Sequence, residues 1–154
     1  MRLWRIVSRK WALDTACDGA RIHGGRWNPP GYPVMYAGTT IEICALEKFV
    51  HLAGAPPPSL VLVAVDLPAY AARALQPALA ELPAGWAAMP VSEAAQEFGR
   101  QWLVAAHDLM LPVPSVIIPE ATNAVINPAH PAYREIRLEI VRDFHFDARM
   151  LGTR

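Results

Sequence analysis

Fifteen prolines, scattered from Pro29 to Pro131, restrict this chain to short elements of secondary structure. Proline fixes φ, removes a backbone donor and breaks helix interiors. Leu3 to Val7 alternates as a first strand, and Val34 to Ala37 reads as a short strand closed by Gly38. Thr39 stands three residues before Glu42, the spacing of a capping box. A helix is therefore predicted from about Ile41 to Ala53, with Ile43, Leu46 and Val50 at core spacing, ended by Pro56-Pro57-Pro58. Leu60 to Val65 is a continuous apolar run of strand length, hence a buried strand. Residues 68–90, with prolines among alanines, read as irregular connections. Ser92 opens a second helix to about Leu109, where Ala95, Phe98, Trp102, Ala105 and Leu109 form one apolar stripe. Ser115 to Ile118 reads as a further strand, as does Arg134 to Val141 with Ile136, Leu138 and Ile140 inward. Isolated helices between strands, with no regular strand–helix repeat, predict one α+β domain over 1–154 and not a doubly wound sheet.

Composition excludes several functions. Fourteen basic residues balance fourteen acidic ones with no Lys/Arg block, so nothing marks a surface for phosphate backbones, and nucleic acid is not an expected substrate. Cys17 and Cys44 are too few for a disulfide framework and read as reduced thiols in a cytoplasmic protein. No apolar run approaches a signal peptide or a membrane span. His23, His51, His107, His130 and His145 lack the close pairing of metal sites, so no metal is expected. The chain is 53% hydrophobic and 18% charged, an apolar excess that suggests surface covered by another chain.

The run Gly24-Gly25-Arg26-Trp27-Asn28 places a fixed charge, an aromatic plane and an amide directly after two glycines. Glycine allows close backbone approach to a ligand, and arginine offers a planar donor fork suited to phosphate oxygens. Such a segment could hold a phosphorylated, aromatic ligand, although Gly-Gly-Arg is also a common surface turn. Downstream follow Tyr36-Ala37-Gly38, Ala45-Leu46-Glu47, Gly99-Arg100-Gln101-Trp102, Val113-Pro114-Ser115 and Asn123-Ala124-Val125-Ile126-Asn127-Pro128. In this order, over nearly the whole chain, these pieces resemble the RES domain, named for an Arg, a Glu and a Ser that its members share. The resemblance implies a fold similar to that of ADP-ribosyltransferases, with mixed or antiparallel sheets and flanking helices. It also implies a bacterial toxin that consumes NAD and forms homodimers bound by a helix-turn-helix antitoxin of the Xre type.

The residues suit that chemistry. Nicotinamide is attached as a cation and departs neutral, so its release needs no general acid, unlike ordinary glycoside cleavage with its two carboxyl groups. One carboxylate near the ribose answers the positive charge that develops there, and Glu47 is the candidate. By spacing alone the plainer reading of Glu47 is a solvated helix residue paired with Lys48 or His51, and the family resemblance is what turns it into the catalytic candidate. Arg26 suits the pyrophosphate, and a surface ion pair is its plain alternative. Tyr36 can lay its ring on nicotinamide and still donate its hydroxyl, or serve as a core tyrosine. Ser115 has no neighbouring His or Lys to make it a nucleophile, and its hydroxyl is placed on the ribose or the nicotinamide amide. Trp27, Asn28, Asn123 and Asn127 complete the candidate binding set, with packing the plainer use of Trp27 and Trp102, and turn formation that of the asparagines. No P-loop or Rossmann fingerprint is present, so NAD is expected as substrate and no cofactor is required. The acceptor of ADP-ribose stays open between water, phosphate and a protein side chain. A protein ADP-ribosyltransferase and a silent partner-binding module are the alternatives, and an RNA-cleaving toxin is disfavoured by the zero net charge.

Overall fold

The computed structural model describes residues 1–52 and 59–152. Six strands form one antiparallel sheet: β1 (Arg2–Ser8), β2 (Met35–Gly38), β3 (Leu60–Asp66), β4 (Met110–Pro114), β5 (Thr122–Ile126) and β6 (Arg137–Phe144), in the spatial order β4-β5-β2-β1-β3-β6. Among the described residues three α-helices accompany them: α1 (Asp18–His23), α2 (Ile41–Val50) and α3 (Glu93–Ala105). The domain is α+β, as the element order predicts.

Strand alternation sorts the core onto two faces. On one, α3 covers Leu111, Val113 and Val125 with Trp27, Ala95 and Leu103, while α2 lays Ile43 and Cys44 on Ile6, Leu60 and Leu62. The other face buries Leu3, Met35, Val65 and Ile126 beneath short turns that include Ala71 and Ala132. β3 lies between β1 and β6 and Leu60 through Val65 are all buried, at about 1.5–3 kcal/mol for each large side chain so removed from water.

Several local expectations shift. The N-cap of α2 is Thr40, whose Oγ1 accepts Ile43 N–H at 3.3 Å, whereas Thr39 donates to Thr122 O at 2.8 Å. Val50, predicted at core spacing, is 50% exposed, and the buried residues of α2 are Ile43 and Cys44. The predicted continuation to Ala53 and the triple proline lie outside the described residues. Ser92 caps α3 as predicted, but the helix stops at Ala105 because Ala106 turns left-handed with φ 47°, and buried Leu109 instead leads into β4. The strand expected at Ser115–Ile118 is the turn between β4 and β5; the strand itself lies earlier, at Met110–Pro114. β4 is an edge strand, where proline is tolerated with its nitrogen turned away from the sheet. The last strand begins at Arg137, after a 3-10 turn over Pro131–Glu135, and its register against β3 jumps from Leu62↔Arg142 to Val63↔Ile140, leaving Val141 as a bulge.

Candidate functional site

Glu47 leaves the second turn of α2 and meets the β4–β5 connection. Its Oε1 accepts Ser115 Oγ–H at 2.8 Å and Asn123 Nδ2–H at 2.6 Å. Ser115 is fully buried, and its Oγ also accepts the backbone N–H groups of Ile117 at 3.0 Å and Ile118 at 3.3 Å. With its lone pairs so engaged, the hydroxyl proton points to Glu47. Asn123 is held on β5 opposite Gly38 of β2 and Val113 of β4. Two donors thus hold Oε1, while Oε2 has no hydrogen-bond partner among the described residues. The carboxylate is fixed by one oxygen and presented by the other.

A second cluster surrounds Tyr36 on β2. Its hydroxyl donates to Asn28 Oδ1 at 2.6 Å and accepts Trp27 N–H at 3.0 Å. Asn28, fully buried, donates in turn to the carbonyls of Ala20 and Tyr32, each at 2.8 Å. The hydroxyl is therefore already engaged within the protein, and the ring packs against the cluster of Trp27, Val34 and Val125. Burial raises the phenol pKa far above its ordinary value, against the Trp27 N–H bond and the nearby Arg26 charge, so the phenol keeps its proton. Gly25 is required here, since a Cβ at that position would lie 2.6 Å from the Tyr36 hydroxyl oxygen. Gly99 of α3 plays the same part on the far side of the loop, where a Cβ would fall 1.9 Å from Trp27 O. Gln96, on the same helix, donates to Gly25 O at 3.0 Å.

Arg26 extends from this loop to the segment after Pro83. Its Nη1 donates to Trp86 O at 2.6 Å and Ala88 O at 3.0 Å, and its Nη2 approaches Met89 Sδ at 3.3 Å. Burial lowers the Arg26 pKa, and the Glu47 carboxylate and Tyr36 phenol oppose that shift, which places all three in one electrostatic neighbourhood. Arg26 forms no ion pair with a carboxylate among the described residues, so its charge is uncompensated at contact distance.

Ser115 and Asn123 thus meet at Glu47, Asn28 braces Tyr36, and Tyr36 on β2 and Asn123 on β5 stand two register positions apart on adjacent strands. Trp27 is 3% exposed, with its ring stacked at 6.1 Å on Trp86 and edge-on to Phe98 at 5.8 Å. It packs within the core beside α3. Asn127 stands apart: its Nδ2 donates to Leu103 O, and its Oδ1 accepts Ala129 N–H, both at 2.9 Å, tying the end of β5 to α3. It borders a larger cavity of about 360 Å³ beside Tyr32, Leu103 and Val104, whose mostly apolar wall offers no reactive group and lies away from Glu47. Trp86 and Ala88 have no sequence signature as partners of Arg26, because they act through backbone oxygens. Gln96 could be sought as a polar residue on the packed side of α3. Among the described residues no cluster of three metal-ligating side chains occurs, and no helix is long and apolar enough to cross a membrane.

Known proteins match this chain over nearly its full length. The RES domain family model matches residues 2–148. Prs ADP-ribosylating toxin of Sphingobium sp. (strain YBL2) is 39% identical over 153 residues, covering 96% of this chain and 95% of the relative. Toxin Res of Pseudomonas putida is 37% identical over 153 residues, covering 97% and 99%. Among solved structures, a chain of the M. tuberculosis MbcT–MbcA toxin–antitoxin complex aligns with a TM-score of 0.67 over 98% of this chain and 86% of its own, at 19% identity, a likeness of fold. The fold and the sequence together define a RES-type toxin domain. This chain belongs to the RES domain family.

Proposed function

We propose that this toxin cleaves the nicotinamide–ribose bond of NAD and depletes the cytoplasmic NAD pool, with Glu47 as the group that answers the charge developing on the ribose. The observation that carries the reading is the half-tethered carboxylate, with Oε1 held by Ser115 and Asn123 and Oε2 without a partner. As the glycosidic bond breaks, its electron pair leaves with nicotinamide and neutralises the pyridinium. The ribosyl carbon takes on oxocarbenium character, which a fixed carboxylate stabilises without reorganisation. Arg26 already donates to two carbonyls, and pyrophosphate oxygens, being charged, are stronger acceptors for the same fork. The Tyr36 ring walls the nicotinamide side. Ser115 and Asn123 act through Glu47, and Asn28 through Tyr36.

NAD is substrate in this scheme, and no cofactor takes part. The acceptor that completes the reaction is water or phosphate, each giving up a proton as its oxygen bonds to the ribosyl carbon. The Sphingobium relative, named an ADP-ribosylating toxin, favours a second reading in which a protein side chain is the acceptor. Incubating the purified protein with NAD, with and without phosphate and with a cell extract, and identifying products by mass separates these outcomes. Release of nicotinamide is expected in all of them; folded protein that releases none overturns the assignment. The toxin–antitoxin assembly of the structural neighbour supports an antitoxin partner here. We take that partner to be an Xre-type helix-turn-helix protein bound to a homodimer of this chain.

A further inference from the structure

At the start of β4, the end away from Ser115, a cavity of about 130 Å³ is lined by Tyr70, Arg73, His107, Asp108 and His130. Its lining shares no residue with the Glu47 site, and nothing in the NAD reaction uses it. Arg73 ends the 3-10 turn Ala69–Arg73, and neither its guanidinium nor the Tyr70 hydroxyl has a hydrogen-bond partner among the described residues. His130 is committed to one tautomer. Its Nδ1 accepts Ala132 N–H at 3.2 Å, so the neutral ring carries its proton on Nε2 and is a donor there. Leu109 and Met110 in the lining are buried, whereas Tyr70, Arg73, His107 and Asp108 are exposed and free to meet a ligand from solvent. The lining therefore offers a guanidinium, an imidazole N–H and a phenol O–H as donors, and a single carboxylate, Asp108, as a strong acceptor.

We propose that this cavity binds a protonated phosphate group, as the free ion or as a monoester. Its volume of about 130 Å³ leaves room for a tetrahedral oxyanion among these donors. Arg73 supplies the fork that phosphate oxygens match. Asp108 decides which anion enters. A carboxylate repels a fully ionised oxyanion, but it accepts the P–O–H proton of a hydrogen phosphate. Sulfate at neutral pH has no such proton and leaves Asp108 facing a like charge.

Titration of the whole protein with inorganic phosphate, a simple phosphate monoester and sulfate, followed by NMR of the His107 and His130 imidazoles, tests this. Phosphate is expected to give saturable shifts at both rings, and sulfate to bind at least about tenfold more weakly, the factor expected from one unmet charged contact. The monoester arm tells a free-ion site from one that accepts the phosphate of a larger molecule. Arg73→Gln should abolish the shifts, Arg26→Gln should keep them, and Asp108→Asn should admit sulfate. Shifts lost in Arg26→Gln but kept in Arg73→Gln would place the ion at Arg26 and overturn the proposal. Sulfate binding equal to phosphate, or no saturable shift at all, would overturn it too.

Discussion

Replacing Glu47 with Gln removes one charge and leaves the shape nearly unchanged, so the two roles of the side chain can be separated by magnitude. In the wild type, Oε1 accepts bonds at 2.8 Å from Ser115 and 2.6 Å from Asn123. The amide oxygen of Gln can take the place of Oε1 and keep both donors, with its NH₂ where Oε2 stood. Each bond then falls from the charge-assisted range of about 1.5–3 kcal/mol toward the neutral range of about 0.5–1.5. The loss is about 2 kcal/mol at most, because the neutral amide is also cheaper to bury. For a domain of this size that lowers Tm by roughly 4–8 °C, and the fold survives. The effect on the reaction is different in kind. A fixed negative charge beside a developing cation is worth about two to three orders of magnitude in rate, and Gln retains none of it. Nicotinamide release should therefore fall by about 100-fold or more while the melting curve stays cooperative and only modestly shifted. Turnover within about threefold of wild type, from protein that melts normally, would refute the assignment, since the charge on Glu47 is the one that Ser115 and Asn123 hold in place.

Arg26→Lys should raise KM about tenfold with a smaller effect on kcat, because a point charge cannot reproduce the fork; an unchanged KM takes Arg26 out of the phosphate role. Gly99→Ala would drive a Cβ to 1.9 Å from Trp27 O, a backbone atom that cannot swing aside, so a destabilisation of about 1–3 kcal/mol or more is expected together with loss of turnover. Wild-type stability in that variant would contradict the close approach of α3 to the Arg26 loop. Arg5 carries Nε and Nη1 buried with no hydrogen-bond partner among the described residues, and its pKa is lowered chiefly by that burial. Arg5→Met should stabilise the protein by about 1–4 kcal/mol in urea unfolding, and a loss of stability would show that the guanidinium has a partner in solution. Burial pushes the Cys44 thiol up to about 12 and raises that of Cys17 as well. The fold favours the protonated thiols, so their contribution is complete below the ordinary thiol range and is lost as pH rises from about 9 toward 12. Both thiols should resist a disulfide reagent at pH 8 until the protein is unfolded, and rapid labelling of Cys44 in the native state would contradict its burial.

Periodicity makes part of this fold legible in the amino-acid sequence alone. Leu60–Val65 carries the uninterrupted apolar run of a strand buried on both faces, and α3 carries its cap at Ser92 and its stripe through Ala95. β4 and β5 are not legible in this way. Pro112 and Pro114 act as breaks in any local rule, and only the edge position of β4 makes them harmless. Thr122-Asn123-Ala124-Val125-Ile126 shows no alternation, because its last three residues are buried regardless of face. The site has the same division. Arg26, Tyr36, Glu47 and Ser115 stand out through the family resemblance, but the hold on Glu47 depends on contacts 68 and 76 residues apart in sequence, between Glu47 and its two donors. No local pattern encodes that Asn123 grips Glu47 while Asn127 fastens a helix, although both belong to one short motif.

The two borders of the sheet have a consequence for how copies of this chain can meet. At β4, Pro112 opposes Ala124 and Pro114 opposes Thr122, and both nitrogens lack the hydrogen that an added strand would need. At β6, the bulge at Val141 breaks the spacing of any continuous ladder, and Arg137, Glu139, Arg142 and Asp143 surround it with charge. Neither border is a template for another strand. An exposed, ordered β-edge is the usual seed of fibrous growth, and this chain has removed that seed at both ends by different means. Association between copies is left to side chains on the faces and turns, where it can be finite and reversible, and a molecule standing alone remains a closed unit.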